Sequence, residues 1–130
     1  MPTEVDNGSI TDDADLLRRI RPDQIVDDKN TGIRRPSSAA FKDPAMSVDA
    51  ETILHQHGLE WTFSIRNHPG YSLARFKAGA ARAKALAVVH KPEKDNAAHT
   101  EVIGKKTQGV ANYLVSLSSW AHLEPVSPGA

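Results

Sequence analysis

The spacing of apolar residues predicts strands in four parts of the chain. Apolar and polar residues alternate from Leu59 to Ile65, and this period of two is typical of a half-buried strand. Two short apolar runs, 86–89 and 100–103, lie on either side of a polar segment and predict an antiparallel hairpin with a long turn. The run 14–20 stops before Pro22 and is also assigned to a strand, because a helix this short is marginal.

Two other segments predict helices. The first is 48–58. Asp49 is its expected N-cap, because the carboxylate can accept from the free amides of the first turn, and Gly58 can adopt the left-handed conformation that closes a helix. Residues 105–121 place their apolar side chains along one face of a helix, which predicts packing on the sheet. This stripe comprises Val110, Tyr113, Leu114, Leu117, Trp120 and Ala121.

These elements predict a single α+β domain over residues 14–123. Its sheet is expected to be mostly antiparallel, with four to five strands packed by the C-terminal amphipathic helix. Residues 23–32 are predicted to form a loop and 33–41 a further strand. The acidic segment 1–13 has too little apolar surface to fold and is predicted to be disordered, and 124–130 is predicted to be a flexible tail.

Composition and charge narrow the functional classes. The chain holds sixteen basic and sixteen acidic residues, so it carries no overall charge signature of a nucleic-acid or membrane binder. Residues 1–30 are acidic and the rest is mildly basic, so the acidic segment could also cover a basic face. The absence of cysteine excludes disulfides and thiolate metal sites, and no stretch approaches the ~20 apolar residues that span a bilayer. We therefore expect a cytoplasmic protein without a membrane partner.

His90 and His99 flank the polar turn of the predicted hairpin and are the leading candidates for chemistry. Residues on the two sides of a hairpin loop can face each other, so the imidazoles could converge with Asp95 or Glu101 as a general base or metal ligands. Their spacing matches no established metal motif, so two ordinary histidines at strand ends is the competing interpretation. His99 is the better candidate catalytic residue, because the small pair Ala97-Ala98 and the apolar pair Val102-Ile103 lie on either side of it.

A second candidate site lies in the segment Arg34-Arg35-Pro36-Ser37-Ser38. Two guanidinium groups and two hydroxyl groups in a short extended segment can hold a phosphate or carboxylate. The competing interpretation is an exposed sheet edge protected by charge and proline. The predicted binding residues are therefore Arg34, Arg35, Ser37, Ser38, His90 and Asp95.

Motifs for common cofactors are missing. The sequence has no Gly-x-Gly-x-x-Gly, Walker-type or Gly-x-Ser-x-Gly motif, so it predicts no cofactor and no metal. The basic set from Arg75 to Lys84 lies near Tyr71 and Phe76, a pattern that weakly indicates a single-strand nucleic-acid platform. A solvated basic face is the simpler interpretation.

Three segments carry a resemblance. The segments 35–41 (RPSSAAF), 47–49 (SVD) and 96–104 (NAAHTEVIG) resemble those of small stand-alone bacterial proteins, over roughly residues 16–121, and this resemblance transfers no activity. The order of an arginine-bearing segment, a Ser-Ser pair before an aromatic residue and then a helix is similar to compact ADP-ribosyltransferase-like toxins of the RES type. This chain is short for that family, and the family's glutamate is not placed.

Three functions follow as expectations. The first is a non-catalytic binding or interaction protein of a bacterial cytoplasm, with a protein as its partner and a homodimer as a further alternative. The second is a small hydrolase or transferase, ADP-ribosyltransferase-like in one version, that uses His99 as base with an anion site at Arg35, Ser37 and Ser38. The third is a weak nucleic-acid binder that uses the Arg75–Lys84 face.

Overall fold

The computed structural model describes residue 6 and residues 8–125. Its strands are β1 (Asp15–Ile20), β2 (Ile25–Asp27), β3 (Arg34–Pro36), β4 (Ala45–Ala50), β5 (Ser72–Lys77), β6 (Ala87–His90), β7 (His99–Ile103) and β8 (Ser119–His122). Its α-helices are α1 (Glu51–Gln56), α2 (Ala78–Arg82) and α3 (Gln108–Leu117). Short 3-10 helices cover Pro22–Gln24, Ser38–Phe41 and Trp61–Ile65.

The strands form one large sheet and one small one. The large sheet has six strands in the order β6-β7-β4-β1-β5-β8, and β2 and β3 form a separate pair. Every strand pair is antiparallel. This architecture confirms the predicted α+β class and antiparallel sheet, and the sheet is larger than the four to five strands expected.

The two faces of the large sheet carry different cores. One face packs against α2, α3 and the 3-10 helix at 38–41, and it contains Phe41, Phe76 and Leu114 in the main apolar cluster. The other face holds a smaller cluster around Leu17 and Leu73, covered by residues 53–65. Because directly opposed residues of paired strands share a face, the register of the strands decides which side chains meet on each side.

The prediction of a helix over 48–58 was wrong at its start. Residues 45–50 form β4, with Met46 and Val48 buried on the main core face, and α1 begins only at Glu51. Asp49 is therefore no N-cap, and its carboxylate is buried on the opposite face. The end of the helix was predicted correctly, because Gly58 has a φ of +71° just after α1.

The prediction of a strand over 59–65 was also wrong. Residues 61–65 form a 3-10 helix, and no strand of the large sheet pairs with them. Their alternating apolar side chains still face inward, since Trp61, Phe63 and Ile65 are partly buried against the smaller core. A short alternation of apolar and polar residues can occur in a half-buried strand and also in a 3-10 segment that covers a sheet. The local pattern does not distinguish the two, and here the tertiary contacts decide the structure.

The C-terminal helix is shorter than predicted. Thr107 caps α3 with its hydroxyl, which accepts from the Val110 amide at 3.2 Å, and the helix ends at Leu117. Residues 119–122 then form β8 beside β5, so Trp120 lies on a strand. Leu114 is fully buried as predicted, whereas Leu117 is 51% exposed.

The hairpin from the central stretch was predicted correctly. Strands β6 and β7 pair antiparallel, with His90 opposite Thr100. The predicted strand 33–41 is reduced to β3 followed by a 3-10 helix, and the predicted loop 23–32 contributes β2 as its partner.

Part of the acidic N-terminal segment contacts the domain. The carboxylates of Asp6 and Asp12 both bind Arg82, at 2.6 and 2.7 Å, and Ile10 is buried in the main core. The alternative in which acidic residues cover a basic side chain therefore holds at Arg82. For residues 1–5, 7 and 126–130, which lie outside the described residues, the predictions of disorder stay predictions.

Candidate functional site

A polar pocket opens on the smaller-core face of the sheet, next to the turn that precedes β7. Its volume is about 300 Å³. The side chains come from β1, β4, β7, the loop 66–68 and the turn 93–96, so segments distant in sequence build it. We call it the His99 pocket, and it is lined by Arg19, Ser47, Arg66, Asn67, His68, Glu93, Asp95, Asn96 and His99.

Two hydrogen bonds fix the His99 ring. Its Nδ1 lies 2.9 Å from the Lys91 carbonyl oxygen, and its Nε2 lies 3.3 Å from Ser47 Oγ. A carbonyl oxygen can only accept, so Nδ1 carries the hydrogen and donates it. In the neutral ring Nε2 is then an acceptor, and the Ser47 hydroxyl donates to it.

A buried polar network around Asp49 adjoins the pocket through Asn96, which belongs to both. The Asp49 carboxylate is 2% exposed, and it accepts from Ser64 Oγ at 2.6 Å and from Asn96 Nδ2 at 2.8 Å. Asn96 Oδ1 in turn accepts from the Ala98 amide at 3.0 Å. Each buried polar group therefore has a partner, and the network ties β4 to the turn just before His99.

Two arginines of the pocket have no carboxylate partner among the residues that the structure describes. Arg19 Nη1 donates to the Ser64 carbonyl at 3.3 Å, and Arg66 donates to the Phe63 and Asp95 carbonyls at 2.7 and 3.2 Å. Arg66 also lies over the Phe63 ring, 3.6 Å from its centroid. Neither forms an ion pair within the described part of the chain, whereas five other arginines do, namely Arg21, Arg34, Arg35, Arg75 and Arg82.

The charges of the pocket act on His68. Burial lowers the pKa of His68 below its usual value, and the nearby positive charges of Arg19 and Arg66 lower this pKa further, while Asp49 opposes them. The neutral imidazole is therefore favoured beside two fixed cations. Glu93, Asp95 and Arg66 are all exposed at the rim, and Arg19 is partly buried, so the rim carries carboxylates as well as a cation.

The structure brings Asp95 to His99 but separates His90 from it. His90 is opposite Thr100 in the β6–β7 ladder, so it shares the face of Thr100, and the preceding residue His99 points to the other face. The His90 ring is 2.7 Å from the Ala97 carbonyl and lines a different cavity with Ile10 and Ile53. The two imidazoles therefore do not form the convergent pair considered from the sequence.

The segment 34–38 lies apart from the His99 pocket. Arg34 and Arg35 pair with Asp27 and Asp28 at 4.0 and 3.4 Å. The Ser37 hydroxyl accepts from the Ala39 amide as a helix cap, and the Ser38 hydroxyl accepts from Gln108. A cavity of about 420 Å³ contains Arg35, Ser37 and Ser38 but no residue of the His99 pocket.

The predicted basic face is largely neutralised by local contacts. Arg75 binds Glu51 through two hydrogen bonds of 2.8 and 2.9 Å, and Lys77 pairs with Asp15 at 3.1 Å. Arg82 binds Asp6 and Asp12, as described above. Lys84 lies over the Tyr113 ring, 4.4 Å from its centroid. Little free positive charge is left on this face for a nucleic-acid backbone.

Sequence reasoning missed Ser47, Arg19, Arg66 and the Asp49 network. The available signal for Ser47 and Asp49 was the alternation of buried Met46, Val48 and Ala50 with polar residues, which marks a strand with a polar face. Among the described residues, no cluster of three or more His, Asp or Glu side chains is arranged to hold a metal ion. No helix in the described part of the chain is long and apolar enough to cross a bilayer.

Comparison of the chain with protein-family models, with curated proteins and with solved structures gives no match.

Proposed function

We propose that the protein is a binding protein whose His99 pocket holds the carboxylate or phosphate group of its ligand. The observation that carries this proposal is the placement of Arg19 and Arg66. These arginines both line one pocket and both lack an acidic partner among the described residues. An arginine offers five N–H donors, and each of these two uses only one or two of them on backbone carbonyls.

The backbone contacts prepare these arginines for an anion. Because the carbonyls of Phe63, Ser64 and Asp95 hold the guanidinium groups in place, less side-chain freedom is lost when a ligand binds. Ser47, Asn67 and His68 add neutral hydrogen-bonding groups to the lining. A carboxylate or phosphate would thus meet fixed donors, the partly buried Arg19 and the exposed Arg66, and would form charge-assisted hydrogen bonds with them.

The rim restricts the ligand further. Glu93 and Asp95 are exposed next to the arginines, so they would repel an anion that carries no positive group of its own. A ligand with a positive group next to its anionic group would be attracted both by the carboxylates of the rim and by the two arginines. A protein partner that ends in a basic residue with a free C-terminal carboxylate has this chemistry, and it agrees with the expectation of a protein partner.

The test is a calorimetric titration at low salt with matched probes. The probes are inorganic phosphate, acetate, and a short peptide that ends in lysine with either a free or an amidated C-terminus. We expect the free-acid peptide to bind and the amidated peptide to lose at least tenfold in affinity. Arg19→Gln and Arg66→Gln should each weaken binding by about tenfold to a hundredfold.

Arg21→Gln is the matched control, since Arg21 is an exposed arginine paired with Asp23 outside the pocket. Equal affinity of the wild type, the two pocket variants and the control would overturn the proposal. Binding of phosphate or acetate but not of the peptide would support the anion site and contradict the proposal of a protein partner. Affinity should also fall with added salt, because the attraction between exposed charges is screened.

The other two expectations have weaker support. The version of the enzyme that combines His99 with Arg35, Ser37 and Ser38 requires groups that line separate cavities. Nucleic-acid binding through the Arg75–Lys84 face requires cations that already have local partners. A bacterial cytoplasm remains our proposal for the location, supported by the absence of cysteine.

A further inference from the structure

We propose that Ser47 is a nucleophile, activated by His99, that takes an acyl group from an ester bearing a free carboxylate. This inference rests on the proposed function for the carboxylate, which Arg19 and Arg66 would hold. The nucleophile itself rests on a separate observation, the hydrogen bond between Ser47 Oγ and His99 Nε2.

The sheet register places the two groups side by side. Ser47 is opposite Glu101 and His99 is opposite Asp49 in the β4–β7 ladder. Ser47 and His99 are therefore diagonal neighbours on the same face, a separation that long side chains bridge. Both are half-buried and both line the His99 pocket, so a substrate can reach the hydroxyl from solvent.

The Lys91 carbonyl sets the ring in the orientation that a general base needs. Because it accepts the hydrogen of His99 Nδ1 at 2.9 Å, the lone pair of Nε2 faces the Ser47 hydroxyl. Serine hydrolases generally place a carboxylate at this position, where it also stabilises the charged imidazolium. A neutral carbonyl fixes the tautomer but stabilises that charge less, so turnover should be slow compared with such enzymes.

The chemistry balances without any further reactant than water. Ser47 Oγ forms a bond with the ester carbonyl carbon while its proton passes to His99 Nε2. The carbon–oxygen bond to the leaving alcohol then breaks, and the alcohol departs with that proton. Water attacks the acyl-serine by the same route in reverse, which releases the carboxylic acid and restores Ser47. Arg19 and Arg66 supply the positive charge of the pocket lining, which favours the oxyanion that develops in both attacks.

The experiment uses two 4-nitrophenyl esters, the neutral acetate and the hydrogen succinate, which carries a free carboxylate. Release of 4-nitrophenolate is followed with time, and the acylated residue is identified by peptide mass spectrometry after rapid quenching in acid. The variants are Ser47→Ala, His99→Gln, Arg19→Gln and Arg66→Gln. The controls are Ser119→Ala and His57→Gln, which change an exposed serine and an exposed histidine outside the pocket. Thermal unfolding of each variant checks that it folds.

We expect a burst of nitrophenolate, an acyl group on Ser47, and loss of both in Ser47→Ala. His99→Gln should slow acylation by about a hundredfold or more, the usual contribution of a general base. Ser47→Cys retains a nucleophile at the same place and should still be acylated, which separates lost chemistry from lost folding. Acylation only at lysines, or an equal rate in Ser47→Ala, would overturn the inference.

The arginine variants distinguish this inference from the proposed function. If the pocket holds carboxylates, the wild type should prefer the succinate ester about tenfold, and Arg19→Gln or Arg66→Gln should remove that preference by slowing the succinate ester more than the acetate ester. Acylation of Ser47 without any preference would support the nucleophile and contradict the anion site. Binding of the free-acid peptide by a protein whose Ser47 is never acylated would contradict the nucleophile and leave the anion site standing.

Discussion

The buried carboxylate of Asp49 should be a large contributor to stability. In Asp49→Ala, the Ser64 hydroxyl and the Asn96 amide lose their acceptor, and both donors are buried. Leaving a buried polar group unsatisfied costs about 1–3 kcal/mol, so the two together predict a loss of about 2–6 kcal/mol. The total free energy of unfolding of such a domain is about 5–15 kcal/mol, so this single change should be easy to detect.

Asp49→Asn provides the comparison of nearly equal shape. Its side-chain oxygen can accept from Asn96, and its amide can donate to the Ser64 oxygen, which also accepts. The Ser64 hydroxyl hydrogen and the second amide hydrogen then need new acceptors, while the Asn96 amide keeps its own, so we expect a loss of about 1–3 kcal/mol, below that of Asp49→Ala. The hydrogen bonds alone therefore predict that Asp49→Ala is the least stable of the three proteins, Asp49→Asn is intermediate and the wild type is the most stable.

Urea unfolding followed by circular dichroism measures these differences, and a double-mutant cycle with Ser64→Ala isolates the pair. We expect the two single changes to be non-additive by at least about 0.5 kcal/mol, because they break the same bond. A loss below about 1 kcal/mol in Asp49→Ala, or an equal loss in both Asp49 variants, would refute the role given to the network. Unfolding of Asp49→Ala already without urea would agree with the upper end of the range.

Three further predictions concern other parts of the fold. The pKa of Asp6 is about 2 rather than 3.8, chiefly because Arg82 donates to its carboxylate, so wild type should exceed Asp6→Asn in stability above pH 4 and lose this advantage as the pH falls towards 2 in acid unfolding curves. Burial lowers the pKa of Lys106 from 10.5 to about 8, so the free energy of unfolding of wild type relative to Lys106→Met should rise between pH 8 and 10.5, and a flat difference would contradict this. Leu114→Ala should cost about 2–5 kcal/mol and Leu117→Ala less than about 1 kcal/mol, because the first side chain is fully buried and the second is 51% exposed; equal losses in urea unfolding would contradict the position of α3.

Local patterns were sufficient for a large part of the fold. The hairpin of β6 and β7 was visible because two apolar runs flank a polar turn. The central part of α3 was visible because Val110 and Leu114 repeat at helical spacing, and Leu114 is fully buried. In both places the residues that form the pattern are close together in sequence, so a local window contains the whole pattern.

Other elements depend on contacts that no local window contains. Asp49 is an ordinary N-cap residue by propensity, yet its partners Ser64 and Asn96 are 15 and 47 residues away. Residues 61–65 alternate like a strand, but they cover the smaller core as a 3-10 helix. In each case a tertiary contact outweighed a weak local preference.

For the same reason, only part of the candidate site could be predicted from the sequence. His99 and Asp95 stand near the hairpin turn, where a sequence pattern can find them. Ser47, Arg19 and Arg66 come from separate elements, and only the strand order and register bring them to His99. His90 and His99 are separated because side chains alternate between the two faces along β7. This separation can be deduced only when the pairing of β7 with β6 is known.

A long-range ¹H–¹⁵N spectrum of the histidine rings, recorded during titration with the free-acid peptide, shows where the ligand binds. We expect the signals of His99 and His68 to shift together and to saturate, while those of the exposed His55 and His57 stay in place. The spectrum without ligand should also show His99 protonated at Nδ1, as its bond to the Lys91 carbonyl requires. Unchanged His99 and His68 signals at a peptide concentration that saturates binding would contradict the placement of the ligand site in this pocket.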